Sequence, residues 1–153
     1  MKRILSFLTI LMVVALYSCS KDEDSKEVSI IGTWQITRDG GSIVYNDGTH
    51  TSASNDYPLS FNGQEYGYYW SYTFNGDGTC IWTTYADNRE PKVDNRFTYS
   101  ISNNTLTVKH KVDNNLDFVC EIKNNTADQL VLFYQEKTDT YVATGTHFYK
   151  RIK

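Results

Sequence analysis

Between residues 31 and 152, apolar and polar side chains alternate with a period of two, in short runs interrupted by Asn, Asp and Gly. A period of two puts successive side chains on opposite faces of an extended strand, whereas a helix repeats every 3.6 residues. No helical periodicity follows Val28, so the body of the chain is expected to be half-buried antiparallel strands. The runs fall at 31–37, 42–46, 67–75, 79–85, 96–102, 105–111, 117–123, 129–135 and 140–152. Trp34 with Ile36, Trp70 with Tyr72 and Phe74, Phe97 with Tyr99, Leu106 with Val108, Phe118 with Cys120, and Leu130 with Leu132 each share a face. Enrichment in β-branched and aromatic residues supports strands. In the last run, the order Thr146-His147-Phe148-Tyr149 does not reveal which residues face inward.

The connections carry Asn75-Gly76-Asp77-Gly78, Asn103-Asn104, Asn114-Asn115 and Asn124-Asn125. Asn and Gly tolerate the positive φ that tight hairpins demand. Short connections make consecutive strands neighbours, and a meander of eight or nine strands must hide two edges. Closing into an up-and-down antiparallel barrel does that; a β-sandwich is the alternative all-β arrangement. Residues 47–65 break the rhythm. They are polar, show no strand pattern and are expected as a long loop, a feature often tied to function. They lead into Tyr66-Gly67-Tyr68-Tyr69-Trp70.

The N-terminus has a different character. Lys2 and Arg3 precede an apolar stretch at 4–17, which suits a signal-peptide core and falls short of the ~20 residues of a membrane-spanning helix. Leu16-Tyr17-Ser18-Cys19 resembles a lipobox, in which the cysteine sulfur takes a diacylglycerol and the peptide is cut before it. Several acyl chains on one residue anchor stably where a single chain would not. Residues 1–18 are thus expected to be a lipoprotein signal peptide and 19–29 a lipidated Cys19 with a charged linker. Residues 30–153 are expected to form one barrel domain. The run from Ser20 to Glu27 is solvated spacer by composition. It also resembles the signal by which one group of Gram-negative bacteria sends lipoproteins to the outer face of the outer membrane. The protein is expected to be exported, anchored to the outer membrane through its lipid, and exposed on the cell surface or turned to the periplasm.

Gly32-Thr33-Trp34, followed by a hairpin meander, resembles the lipocalin-like domains of bacterial lipoproteins. Phe74-Asn75-Gly76-Asp77-Gly78-Thr79 and the stretch from Tyr99 to Thr107 resemble recurrent hairpins of that group. The resemblance covers residues 31–152. It implies a calycin-type barrel whose closed end is plugged by Trp34, with Gly32 before it and a cation from Arg151 or Lys150 across the ring. It also implies binding of a small ligand.

Other constellations narrow the function. The net charge of −3 includes Lys2 and Arg3 of the leader, so the remainder is more acidic and lacks the basic footprint of a nucleic-acid binder. His50, His110 and His147 have no ligand partner at i+3 to i+5, and no metal or other cofactor is expected. Asn75-Gly76-Asp77-Gly78 looks like half a calcium loop, but the distal acid is missing and a hairpin turn explains it. No nucleophile or phosphate-loop motif is present, so no enzyme activity is expected. Cys80 and Cys120 are expected inside as two thiols, because their strands are not neighbours in a meander.

Candidate contacts for a small apolar molecule or glycan are Tyr45, Tyr57, Tyr66, Tyr69 and Trp82, aromatic residues suited to stacking and burial. The alternative function is a surface interaction protein, an accessory subunit or inhibitor binding an envelope protein, with a solid barrel core. Interior volume separates the two, since ligand sites begin at roughly 300 Å³.

Overall fold

A computed structural model describes residues 29–153, apart from residues 59, 62, 63, 66 and 88. Its strands are β1 (Gly32–Tyr45), β2 (His50–Asp56), β3 (Ser60–Phe61), β4 (Gln64–Glu65), β5 (Tyr69–Phe74), β6 (Thr79–Tyr85) and β7 (Lys92–Ser102). They continue with β8 (Thr105–His110), β9 (Phe118–Asn125), β10 (Gln129–Lys137) and β11 (Tyr141–Arg151). The main sheet runs β11-β10-β9-β8-β7-β6-β5-β1-β2, and β1 also pairs with β11, so eight antiparallel strands close a barrel and β2 is an extra strand. The small β3–β4 hairpin pairs only with itself. The fold is therefore the all-β, up-and-down barrel expected from the alternation, and not a sandwich.

Four local expectations need correction. Runs 31–37 and 42–46 are parts of one strand, β1, because the intervening Arg38-Asp39-Gly40-Gly41 pairs with both β2 and β11. Residues 47–65 are not a loop throughout. β2 forms with all seven residues exposed, because ladder hydrogen bonds come from the backbone and need no apolar side chain. Asn114-Asn115 begins a 3-10 turn (Asn114–Leu116) instead of a tight hairpin, and the Asp113 side chain accepts the Asn115 N–H at 3.0 Å. Asn124 and Asn125 end β9, so the turn lies beyond them. Asn103 and Asn104 do take φ of 48° and 62°, the paired left-handed turn that closes β7 onto β8.

The alternating faces deliver Trp34, Ile36, Phe74, Cys80, Phe97, Leu106, Val108, Cys120, Leu130, Leu132 and Tyr149 into one core, with Ile30 closing it from below. Cys80 and Cys120 are buried free thiols. At the closed end, Trp34 is fully buried, and its indole N–H donates to the Ile30 carbonyl at 2.7 Å. The Arg151 guanidinium lies 4.1 Å above the centre of the Trp34 ring system, and Trp34 and Arg151 are register partners. That guanidinium also donates to the carbonyls of Ser29, Ile31 and Ala127, tying the N-terminal segment and the β9–β10 turn to the plug. Gly32 has φ of +134°, and a Cβ there would meet Arg151 Nη1 at 2.5 Å and the Lys153 carbonyl at 2.6 Å. Glycine is what lets the cation settle over the ring.

Candidate functional site

The opposite end of the barrel is open, and its form follows from an irregularity in β1. Ile36 pairs with Tyr149, and the next partners are Arg38 and Phe148, so Thr37 is an extra residue on β1. This is a β-bulge, which shifts the pleat by one residue. The Thr37 hydroxyl donates to the Phe148 carbonyl at 3.0 Å, and the Thr37 carbonyl accepts the Tyr57 N–H at 2.8 Å. Below the bulge, Trp34 and Ile36 face the core. Above it, Asp39, Gly41 and Ile43 face the mouth, and Arg38 turns out to lie 4.2 Å over the Phe148 ring.

Beyond the bulge, the long strands β1, β10 and β11, with β2 added at the edge, rise past the rest of the barrel as a four-stranded wall. Two adjoining hollows result. The lower one, about 530 Å³, is lined by Tyr72 from β5, Asp117 to Cys120 around the start of β9, Leu132 to Glu136 of β10 excepting Phe133, and His147 and Tyr149 from β11. The upper one, about 450 Å³, rests on the inner face of the wall and is lined among others by Asp39, Gly41, Ile43, Ala53, Asn55, Tyr134 and Glu136. Tyr134 and Glu136 border both. Tyr134 lies against Gly145, where a Cβ would meet its ring at 2.0 Å. The absence of a side chain at Gly145 thus makes room for the Tyr134 ring.

An aromatic belt surrounds the junction. Tyr57 meets Trp70 edge-on with centroids 4.8 Å apart, Trp70 meets His147 at 5.9 Å, and His147 meets Tyr134 at 5.1 Å. The Trp70 indole N–H donates to the Tyr149 hydroxyl at 3.4 Å, and that hydroxyl lies 3.3 Å from His147 Nδ1. Burial pushes the His147 pKa down, with Asp39 opposing the shift, so the imidazole favours its neutral form. Burial pushes the Tyr72 and Tyr149 hydroxyls up and the Cys120 thiol up to about 12. The lower hollow is thus lined mostly by uncharged rings and apolar groups. The carboxylates stand above it or at its edge. Asp39, the register partner of His147, accepts the Tyr57 hydroxyl at 2.8 Å and the Asn55 amide at 3.0 Å. Asp117 accepts the His110 N–H at 2.7 Å, and Glu136 accepts the Tyr141 hydroxyl at 3.2 Å. This arrangement can bury an apolar body and hydrogen-bond a polar end. Among the described residues, no three His, Cys, Asp or Glu side chains gather as a metal site.

The aromatic residues singled out from the sequence are dispersed. Tyr57 stands in the belt. Tyr45 is exposed at the end of β1, edge-on to Tyr141 at 6.1 Å. Tyr69 stacks on Tyr85 at 4.4 Å, and Trp82 sets its ring against Phe97 at 6.2 Å. None of these four is among the described residues lining either hollow. Tyr66 and Cys19 lie outside the described residues. Sequence reasoning missed Asp39, Tyr134, His147 and Tyr149 as site residues. Tyr134 shares parity with Leu130 and Leu132, which could have marked it. His147 and Tyr149 share parity too, but nothing local said which parity was inside.

A closed antiparallel barrel with a plugged floor and an aromatic hollow at its mouth supports a binding role in general. The chain belongs to the lipocalin-like domain family, whose family model matches residues 30–132. A comparison with curated proteins gave no match. Among the described residues, no helix is long and apolar enough to cross a membrane.

Proposed function

We propose that this protein is a lipid-anchored module of the cell envelope that binds a small apolar molecule in the barrel mouth, by burial and stacking and without catalysis. The observation that carries the proposal is the lower hollow of about 530 Å³, walled by Tyr72, Phe118, Leu132, Tyr134 and Tyr149. That volume falls within the roughly 300–1,000 Å³ range of ligand sites. The apolar lining favours an apolar molecule over a glycan. The alternative role, an interaction protein with a solid core, is weakened by the same hollow. Tyr57 is carried forward as a rim contact because it packs on Trp70.

In this proposal, residues 1–18 are the signal peptide, Cys19 bears the lipid, 19–29 are a spacer and 30–153 are the barrel, anchored to the outer membrane. The spacer would join the barrel at Ser29, beside the plug and at the end opposite the mouth. A ligand would then enter from the side facing away from the anchoring bilayer.

Two experiments test the proposal. Fluorescence titration with the neutral apolar probe N-phenyl-1-naphthylamine should show saturable binding, and Leu132→Trp should abolish it by filling the hollow. Equal binding by both proteins would refute the placement of the site. Replacing Cys19 with Ala should move the protein out of the membrane fraction; persistence there would refute the tether.

A further inference from the structure

The charges around the mouth have one sign. Asp39 lies on the inner face opposite His147, and Asp117 and Glu136 line the lower hollow. None of the three has a Lys or Arg ion-pair partner among the described residues. No Lys or Arg is among the described residues lining either hollow. Two cations on the wall strands themselves are turned away by the pleat. Arg38 lies on the outer face over Phe148, and Lys137 alternates with Glu136 along β10. The bulge at Thr37 produces this at β1. With no extra residue, the parity of Trp34 and Ile36 would carry Arg38 inward and Asp39 outward.

Asp39 is suited to hold a cation. Its two carboxylate oxygens each take one hydrogen bond, from Tyr57 and from Asn55, so its position is fixed while each oxygen keeps acceptor capacity. The rings of Tyr57, Trp70, Tyr134 and His147 gather beside it, and aromatic faces attract cations. We infer that the ligand carries an ammonium-type positive group on an apolar body, with Asp39 as the anchor for the charge and the aromatic hollow as the seat of the body. This rests on the proposed binding role of the mouth and adds the chemical class of the ligand. An anionic amphiphile such as a fatty acid would meet three carboxylates and, among the described lining residues, no Lys or Arg.

The test uses the chain from residue 19 onward and three probes with one naphthalene body: 2-(2-naphthyl)ethylamine, 2-(2-naphthyl)ethanol and 3-(2-naphthyl)propionate. Isothermal titration at low salt should rank the amine first, about tenfold tighter than the alcohol, with the carboxylate weakest. The gap should narrow at about 0.5 M salt, where exposed charges are screened. Asp39→Asn keeps an acceptor for Tyr57 and should bring the affinity of the amine down to that of the alcohol, with near-UV circular dichroism reporting the fold. A carboxylate that binds as tightly as the amine would overturn the inference and leave the binding role standing, as would equal weakening of all three probes in folded Asp39→Asn. Failure of all three probes, the alcohol included, would remove the binding role as well. If the variant does not fold, the comparison of amine with carboxylate on the unaltered protein decides.

Discussion

The plug offers the sharpest quantitative test, a double-mutant cycle between Trp34 and Arg151. Trp34 is fully buried, so Trp34→Ala should cost about 3–5 kcal/mol of unfolding free energy through lost burial and an unfilled cavity. The same change orphans the Ile30 carbonyl that now accepts the indole N–H. Arg151→Met keeps the stem and removes the charge. The ring contact at 4.1 Å is worth about 0.5–2 kcal/mol. The three carbonyls released by the guanidinium can be reached by water, so their loss should add about 1 kcal/mol in all, the net worth of an ordinary hydrogen bond. Arg151→Met should therefore cost about 2 kcal/mol, and the pair should couple by about 0.5–2 kcal/mol. Urea unfolding of all four proteins, followed by far-UV circular dichroism, measures the cycle. A Trp34→Ala cost below about 1 kcal/mol, the range of a surface change, would refute the plug. A coupling near zero would refute the cation–ring contact even with Trp34 buried.

Three further outcomes follow from the geometry. Burial holds the folded His147 pKa below its unfolded value, so the unfolded chain binds more protons, and stability should fall as pH drops through the ordinary histidine value of about 6.5. Thermal melts between pH 7.5 and pH 5.5 should show that slope reduced in His147→Gln, and an unchanged slope would count against the neutral imidazole. Burial pushes the Cys80 thiol up to about 12, and Cys80 lines neither hollow, so it should resist a thiol reagent at pH 8 when folded and react in urea; fast labelling of Cys80 in folded Cys120→Ser protein would contradict the closed core. Gly145→Ala should displace the Tyr134 ring into the hollow, weakening the binding of N-phenyl-1-naphthylamine severalfold while unfolding changes little, because the displaced atoms are the tip of a side chain; unaltered probe affinity would show that the ring has another exit.

The sequence by itself determined the parts that depend on neighbours along the chain. Alternation within β6, β8 and β9 needs only the two-residue repeat of an extended backbone, and it is enough to identify Cys80, Leu106, Val108 and Cys120 as inward residues. Asn103 and Asn104 announce a left-handed turn because few other residues sit there cheaply. Gly32-Thr33-Trp34 marks the floor of the barrel in the sequence alone, through its resemblance to lipocalin-like domains. Only the tertiary structure decided the mouth. β2 has no apolar code, since its pairing energy lies in the backbone and its partner is the extended upper half of β1. His147 and Tyr149 face inward because β11 is clamped between β1 and β10, a constraint invisible in their own sequence. The extra residue at Thr37 follows from register against Phe148 and Tyr149, more than a hundred positions away, and it is this register that turns Asp39 toward the hollow and Arg38 toward solvent. A repeat of two specifies faces only until a bulge resets the count, and the pairing of distant strands sets where that happens.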